Sequence, residues 1–330
     1  MIPGLVSVVI PVFNRKHLLA EAVQSCLAQT YPHIEVIIID DGSSDGTDLF
    51  VNEKISGEWK GWDIRYFKKE NQGPSAARQF GMENSRGEFV QFLDSDDIIL
   101  PDKFMLQVAA MQAVGDVAAC CSCYGRKGEK SIGWERSVRV GFKGETVTDY
   151  IRAMCMPISF PMSCNAPLWR ISFLAMQPGW SIELSCGEDW AYYTRLLTHA
   201  HAVAFVDEDL FWARDHEGDR ASPIQKSRRD LRKAASFARA LQIVEAVVRE
   251  AGFFDKASQA GLKRITGSIY LLLLEIGSED EFKNFETYVA RLTTNPHTLS
   301  IISVVGWFRR LFGTRITLGC VRLYIRRRRI

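Results

Sequence analysis

The sequence predicts an α/β fold built on a mostly parallel central sheet flanked by helices, followed by a helical C-terminal region. Short apolar runs rich in Val and Ile alternate with segments of helical periodicity through roughly the first hundred residues. This alternation is typical of a parallel sheet whose two faces are covered by helices. From about residue 222 onward the apolar spacing is almost wholly helical. The 330 residues are enough for a substantial core and two structural units.

The elements follow from local patterns along the chain. Strands are predicted at Val6–Ile10, Val36–Ile39, Ile64–Phe67 and Phe89–Leu93. A helix after the first strand is indicated by the apolar spacing between Leu18 and Leu27, and Pro32 is expected to stop it. Residues 117–214 contain frequent glycines and predict a less regular region, and helical patterns follow at 224–250, 257–274 and 279–292. A domain boundary is therefore expected near Gly218.

The composition excludes several classes of protein. A formal net charge of +2 is too small to indicate a nucleic-acid-binding protein. The eight cysteines show neither the paired spacing of a zinc site nor the density of a disulfide scaffold, so we expect buried, reduced thiols. We expect no leader before the first strand, and no apolar run reaches the ~20 residues of a membrane span. These features predict a cytoplasmic protein whose membrane contact, if it makes any, is peripheral.

A cluster of acidic residues follows the fourth predicted strand. Asp94, Asp96 and Asp97 occupy three of four consecutive positions, and like charges so close together are costly unless a cation neutralises them. Oxygen ligands suit Mn²⁺ or Mg²⁺, which proteins usually hold with one or two carboxylates plus substrate phosphates. The cluster therefore predicts a divalent-metal site for a nucleoside diphosphate. A solvated acidic turn is the alternative, and it is a weaker interpretation for three acids in four positions.

The loop Asp41–Gly46 after the second strand allows two other interpretations. It has part of a calcium-loop pattern, but Asn52 stands where that loop needs a bidentate Glu. Its glycines also flank Ser44 as in the nucleophile elbow of hydrolases, with His216 as the only candidate base. Because only one other strand comes before the strand that leads into the loop, too few for that hydrolase sheet, a Ser44 hydrolase remains a minor rival.

Five segments together resemble the family 2 glycosyltransferases, which are inverting enzymes with a GT-A fold. They occur in the order and spacing of that family at Val6–Asn14, Ile37–Thr47, Asn71–Gly81, Phe92–Asp97 and Gly187–Trp190. The resemblance covers roughly the first two thirds of the chain. It implies a GT-A domain over residues 1–217, with a nucleotide-binding half at 1–115 and an acceptor half at 116–217, ahead of a helical region at 218–330.

The resemblance also implies roles for individual residues. Binding of the nucleotide-sugar is assigned to Pro11, Phe13, Asp41, Gly73, Arg78 and Asp94. Metal binding is assigned to Asp96, with Asp97 and His216 as additional ligands. Phe13 would pack on the nucleobase, Asp41 would accept a hydrogen bond from it, and Asp94 would face the ribose. Asp189 would be the general base that takes the proton of the acceptor hydroxyl.

Several of these roles have structural alternatives. Glu188 and Asp189 also suit the first turn of a helix, where the helix dipole favours acidic side chains. Arg78 equally suits a surface ion pair, and His216 a solvent-facing loop. In the helical region, residues 301–330 combine apolar residues at helical spacing with many arginines. That pattern is typical of an interfacial helix on an anionic membrane, and a packing helix with a basic tail is an equal alternative.

The predicted activity is therefore transfer of a single sugar from a nucleotide-sugar, expected to be UDP-linked, to a lipid- or glycan-linked acceptor. Cell-surface polysaccharide or lipopolysaccharide-type biosynthesis at the inner face of the cell membrane is the expected setting. One rival is a sugar-nucleotide nucleotidyltransferase, although such enzymes typically carry a basic Gly-rich loop where this chain has Pro11–Asn14. The other is a non-catalytic, membrane-associated scaffold, against which the intact acidic cluster argues.

Overall fold

The computed structural model describes residues 1–128, 139–140, 146–156, 163–215 and 231–276. Its strands are β1 (Ile2–Val12), β2 (Ile34–Asp40), β3 (Ile64–Lys68), β4 (Gly87–Phe92), β5 (Ile98–Ile99), β6 (Ala119–Gly128), β7 (Arg139–Val140), β8 (Leu168–Arg170) and β9 (Val203–Asp215). Its helices are α1 (Lys16–Leu27), α2 (Thr47–Ser56), α3 (Pro74–Glu83), α4 (Lys103–Val114), α5 (Val147–Met154), α6 (Ile171–Leu174), α7 (Glu188–His199), α8 (Leu231–Glu250) and α9 (Lys256–Ile276).

The described strands join one sheet in the order β3-β2-β1-β4-β8-β6-β9-β5, with β7 beside β6. Strands β1 to β4 are parallel, and helices α1, α2 and α3 connect them. The predicted α/β fold with a parallel sheet is therefore confirmed. Beyond β4 the sheet becomes mixed, because β8 runs antiparallel to both of its neighbours, β4 and β6, and β5 runs antiparallel to β9.

Burial on both faces of the sheet explains the unbroken apolar runs. Every residue of β2 is buried. Alternate residues of the strand enter two different hydrophobic cores, with Ile37 in one and Ile38 in the other. The same alternation separates Val9 from Val8 and Ile10 in β1. Such continuous Val and Ile runs are the pattern expected of parallel strands covered by helices on each side.

Helices α8 and α9 pack on the second half of the sheet domain. The ring of Phe237 in α8 stacks on Trp190 in α7 with 5.2 Å between their centroids, and both rings belong to the core that α9 also enters. Two predicted helical patterns are thus observed, whereas the boundary near residue 218 and the segments 279–292 and 301–330 lie outside the described residues. Within the described part of the chain, no helix combines the length and apolarity needed to cross a membrane.

Candidate active site

The acidic cluster lies at the carboxyl end of β4, next to the ends of β1 and β2. This placement follows from the parallel pairing of β1 with both β2 and β4. Asp94, Asp96 and Asp97 each offer a carboxylate oxygen, and these oxygens lie within 4.8 Å of one another. Asp94 is partly exposed, whereas the other two are nearly buried. The three hard oxygen donors fit a divalent cation such as Mn²⁺ or Mg²⁺.

A cationic side chain from the loop after β1 reaches this cluster. Arg15 Nη1 donates a hydrogen bond to Asp96 Oδ2 at 2.7 Å, and both side chains are mostly shielded from water. The carboxylate predicted to hold the metal therefore has a positive partner 81 positions away in sequence. Arg15 had no assigned role in the sequence, because it matches none of the motif positions that carry chemistry.

Arg78 in α3 connects the acidic cluster with the start of α7. Its Nη2 donates to Asp94 Oδ1 at 2.7 Å and its Nη1 donates to Glu188 Oε1 at 3.0 Å. The guanidinium also lies over the ring of Trp180, 5.0 Å from its centroid. Arg78 is only 5% exposed. The structure thus shows a buried bridge between two carboxylates instead of a surface ion pair, and the predicted contact with the donor stays a prediction.

Asp189 lies in the first turn of α7, where its Oδ1 accepts a hydrogen bond from the Trp190 N–H at 2.8 Å. Burial raises the pKa of Asp189 to about 7, the negative charges of Glu188 and Asp94 add to that rise, and Arg78 opposes it. A carboxylate whose pKa lies near neutrality is suited to accept a proton at physiological pH. The helix N-terminus and the base role are therefore compatible at this position.

The loop before α7, which leads into Glu188 and Asp189, is held by hydrogen bonds from α8. Ser236 Oγ accepts hydrogen bonds from the N–H groups of Ser185 and Cys186, at 2.9 and 3.0 Å, and donates to the Cys186 carbonyl at 2.9 Å. Gly187 then caps α7 with a φ of +75°, a conformation that favours glycine. The sequence offers no signal for Ser236, because its partners Ser185 and Cys186 lie 51 and 50 positions away.

Asp41 organises the segment that leads into α3. Its Oδ1 accepts from Lys69 Nζ at 2.7 Å and from the Gln72 N–H at 3.0 Å, and its Oδ2 accepts from the Gly73 N–H at 2.8 Å. Gly73 caps α3 with a φ of +89°. Asp41 therefore fixes the N-terminal end of this helix, where unpaired N–H groups favour anions. Its predicted hydrogen bond to the nucleobase remains a prediction.

The residues after β1 leave an aromatic ring at the edge of the site. Pro11 lies within β1 opposite Ile39, whereas Phe13 follows the strand and is 47% exposed. Asn14 ties this turn to the loop after β2, since its N–H donates to Ser43 Oγ at 2.9 Å and its Oδ1 accepts from the Ser44 N–H at 2.8 Å. Phe13 thus has an accessible face that suits stacking on a base.

The Ser44 hydroxyl lacks the geometry of a nucleophile in the described residues. It lies 3.4 Å from Asn14 Oδ1, an amide oxygen that cannot serve as a general base. His216, the candidate base of that rival, lies outside the described residues. Its predicted role as a metal ligand likewise stays a prediction.

Asn165 bridges the two ends of the acidic cluster. Its Nδ2 donates to Asp97 Oδ2 at 2.6 Å, and its Oδ1 accepts from the Asp94 N–H at 2.8 Å. The second oxygen of Asp97, Oδ1, accepts from the Arg214 N–H at 2.7 Å. Asp97 thus joins the cluster to β9 as well as to the segment before β8. The sequence gives no reason to select this Asn among the others.

Together these contacts form a site with two functional sides. The carboxylates after β4 can hold a cation and, through it, a diphosphate. Asp189 can accept a proton, and the Arg78–Glu188 ion pair connects the two sides through buried atoms. Such an arrangement can promote displacement of a phosphate leaving group by a hydroxyl.

Comparison with known proteins identifies relatives for this arrangement. A family model described as glycosyl transferase family 2 matches residues 7–172, half of the chain. A Rickettsia felis protein named as an uncharacterized glycosyltransferase is 40% identical over 156 residues, which are 47% of this chain and 25% of that protein. The chain therefore spans only part of the length of the curated relatives that it matches.

Two solved structures resemble the whole described fold. One is TarS residues 1–349 from S. aureus in complex with UDP-GlcNAc, with a TM-score of 0.67, 18% identity, and coverage of 98% of this chain and 92% of that chain. The other is the mannosyltransferase PcManGT from Pyrobaculum calidifontis in complex with GDP-Man and Mn²⁺, with a TM-score of 0.51, 16% identity, and coverage of 93% and 87%. At these identities the similarity concerns the fold alone, and it confirms the predicted GT-A architecture.

Proposed function

Because the chain belongs to glycosyl transferase family 2, we propose that it is an inverting, metal-dependent enzyme that transfers a single sugar from a UDP-linked donor to a lipid- or glycan-linked acceptor. The observation that carries this proposal is the position of Asp189. It lies at the start of α7 with a pKa raised to about 7, in electrostatic contact with the acidic cluster through Arg78, Glu188 and Asp94. Membership of the family favours glycosyl transfer over nucleotidyl transfer.

The donor would bind at the carboxyl ends of β1, β2 and β4. Phe13 offers an exposed ring for the nucleobase, and Asp94 would face the ribose. Asp96 is the principal ligand for Mn²⁺ or Mg²⁺, which when bound stabilises the negative charge of the leaving diphosphate. The diphosphate would also lie near the N-terminus of α3, beyond Gly73. The ligands found in the two similar structures, UDP-GlcNAc and GDP-Man with Mn²⁺, support this assignment.

Asp189 would start the reaction from the acceptor side. In its ionised form it removes the proton from the acceptor hydroxyl while that oxygen attacks the anomeric carbon. The bond between the anomeric carbon and the diphosphate oxygen breaks in the same step, so the configuration at that carbon inverts. Glu188 accepts a hydrogen bond from Arg78 and would thereby keep the first turn of α7 aligned with the cluster.

The acceptor and the location of the enzyme belong to the same proposal. A lipid-linked acceptor would suit peripheral contact between the basic segment 301–330 and the anionic inner face of the cell membrane. That segment lies outside the described residues, so the proposal rests on its sequence. Cell-surface polysaccharide or lipopolysaccharide-type biosynthesis is the corresponding setting.

A thermal-unfolding panel tests the donor and the metal together. The protein is heated with UDP, GDP, CDP or ADP, each with and without Mn²⁺. We expect UDP with Mn²⁺ to give the largest increase in stability, about 2.7 kcal/mol at a ligand concentration of 100 times Kd. The Asp96→Asn variant should lose the part of the increase that depends on Mn²⁺. If no nucleotide stabilises the protein with or without Mn²⁺, the proposed function is wrong.

A further inference from the structure

The carboxamide of Asn165 holds the acidic cluster from both ends. Its oxygen accepts from the Asp94 main chain and its nitrogen donates to the Asp97 side chain. The two contacts define the orientation of the amide, because the Asp94 N–H can only donate and an ionised Asp97 carboxylate can only accept. Reversal of the amide would place donor against donor and acceptor against acceptor.

The main chain around Asn165 is itself held rigidly. Asn165 is 1% exposed, and its carbonyl accepts a hydrogen bond from Gln91 Nε2 in β4 at 3.0 Å. The carbonyl of the next residue, Ala166, accepts from Lys103 Nζ and Gln107 Nε2 in α4, each at 3.0 Å. The side chain of Asn165 therefore extends towards the cluster from a fixed and fully buried support.

Both oxygens of Asp97 are used in structural hydrogen bonds. Oδ2 accepts from Asn165 at 2.6 Å and Oδ1 accepts from the Arg214 N–H at 2.7 Å. Asp96, by contrast, meets a side-chain cation, Arg15, which is the kind of partner that a metal ion can replace. The two neighbouring carboxylates thus have different surroundings, although the sequence presents them as equivalent.

We propose that Asn165 is a positioning residue that fixes the loop Asp94–Asp97 for metal and donor binding, and that Asp97 serves as the anchor of this hydrogen-bond bridge instead of as a metal ligand. The inference rests on the proposed metal-dependent function. Its physical basis is that hydrogen-bond partners of a metal site orient the ligands, and their loss typically lowers metal affinity about 10- to 100-fold.

The bridge can be tested by exchanging its two partners. Asn165→Asp alone brings two carboxylates together. Asp97→Asn alone brings two amides together, and the new NH₂ group would face another donor, either Asn165 Nδ2 or the Arg214 N–H. When both substitutions are combined, the new carboxylate at position 165 can accept from the Asp94 N–H and from the new amide at position 97. That amide can still accept from the Arg214 N–H through its oxygen. The exchange preserves every hydrogen bond and the total charge while it moves the carboxylate.

The first measurement is the Kd for Mn²⁺ alone, determined by electron paramagnetic resonance of the free ion. We expect each single variant to bind Mn²⁺ about 10- to 100-fold more weakly and the double variant to recover to within about threefold of the unaltered protein. If Asp97 coordinates the metal directly, the double variant will bind as weakly as Asp97→Asn. That result would overturn the proposal.

The second measurement is the unfolding temperature of the four proteins without metal. The bridge is supported if the unfolding temperature of the double variant falls by less than the sum of the two single decreases. A decrease equal to that sum overturns the bridge. Lys103→Met is the matched control, because it alters the same segment while Gln107 keeps the hydrogen bond to the Ala166 carbonyl and the Asn165 side chain is unchanged. It should leave the Mn²⁺ affinity unchanged. Failure of the unaltered protein to bind Mn²⁺ would instead overturn the metal-dependent function, while the unfolding cycle still decides the bridge.

Discussion

The Arg15 guanidinium lies against the Asp96 carboxylate, with 2.7 Å between Nη1 and Oδ2. These side chains come from the loops after β1 and β4, which parallel pairing brings together. The carboxylate of the proposed metal ligand is therefore paired with a protein cation. Such a pairing lowers the repulsion among the three clustered acids, which is a requirement of any site built from adjacent carboxylates. A divalent cation that binds Asp96 has to compete with Arg15.

Replacement of Arg15 should separate metal binding from nucleotide binding. In Arg15→Met the competition for Asp96 is removed, so we expect Mn²⁺ alone to bind about 3- to 10-fold more tightly, a gain of about 0.7–1.4 kcal/mol. UDP binding in the presence of Mn²⁺ should weaken, because the variant lacks a cation next to Asp96, the carboxylate near which the diphosphate is proposed to bind. Titration with Mn²⁺ and then with UDP by calorimetry measures both affinities. The affinities of Arg15→Lys, which keeps the charge, should lie between those of the unaltered protein and Arg15→Met. A weaker Mn²⁺ affinity in Arg15→Met than in the unaltered protein would contradict this explanation.

Asp189→Asn should stabilise the metal-free protein while it strongly lowers the transfer rate. The pKa of Asp189 is raised in the folded state, so the unfolded state gives up its proton first as the pH rises. The ionised carboxylate therefore costs stability progressively from about pH 4 to about pH 7, and fully above that range. We expect the variant to gain on the order of 2 kcal/mol at pH 8 and almost nothing at pH 4. Urea unfolding at both pH values measures the difference.

The activity of the same variant provides the control for its role. Donor binding should be retained, whereas the transfer rate should fall by about 10²- to 10⁴-fold, the usual contribution of a general base. Loss of stability at pH 8 would contradict the raised pKa of Asp189. Transfer at the original rate would exclude Asp189 as the general base.

Arg78 should set the pH range in which the base works. Its positive charge lowers the pKa of Asp189, in opposition to the effects of burial, Glu188 and Asp94. Arg78→Met should therefore raise that pKa further and move the acidic limb of the kcat/KM profile to higher pH. It should also destabilise the protein by about 3–5 kcal/mol, because Glu188 and Asp94 lose a buried partner. A pH profile unchanged in position would show that the charge of Arg78 does not act on the base.

The sequence predicts the parallel half of the fold well because its signals are local. Runs rich in Val and Ile identify β1 and β2, and a short apolar run identifies β4. Parallel pairing of β1 with β2 and β4 places the acidic residues after β2 and β4 at the same edge of the sheet. The antiparallel half gives much less to recognise. Strands β5 and β8 contain only two and three residues, too few for any periodicity, and long-range pairing defines them.

The supporting residues of the site show the same limit. Asn165 lies 71 positions from Asp94, and Ser236 lies 50 positions from Cys186. Each is a single polar residue in a segment without a pattern, and only the folded chain shows what it contacts. Arg78 lies in a recognisable segment, but its position between Glu188 and Asp94 depends on contacts with residues 110 and 16 positions away in the sequence.

Phe13→Ala should weaken binding of the nucleotide without affecting the fold. Stacking of a base on an aromatic ring contributes about 1–3 kcal/mol, so the Kd for UDP should rise about 5- to 150-fold. Trp62→Ala is a matched control, since Trp62 is 46% exposed. It precedes β3, at the amino ends of the parallel strands, whereas Phe13 follows β1, at their carboxyl ends. Calorimetric titration of both variants makes the comparison. Equal losses of UDP affinity in the two variants, or no loss in Phe13→Ala, would mean that the nucleobase binds elsewhere.

Because of Lys103, the free energy of unfolding should increase with pH just above neutrality. It is fully buried at the start of α4, and burial lowers its pKa to about 7. Below that pH the folded state carries a desolvated charge. Between about pH 7 and the ordinary pKa of 10.5 the unfolded state binds the extra proton, so this residue's contribution to stability rises by up to about 1.4 kcal/mol per pH unit.

Lys103→Met should remove this dependence and be more stable than the unaltered protein at pH 7. The Ala166 carbonyl keeps its hydrogen bond from Gln107, so no buried acceptor is left unpaired. Buried thiols such as Cys26 have a pKa raised to about 12 and oppose the trend above pH 9, but they are present in both proteins and cancel in the comparison. Guanidinium unfolding between pH 6.5 and 8.5 should show the advantage of the variant shrinking as the pH rises. An advantage that is constant across this range would mean that Lys103 remains charged in the folded protein.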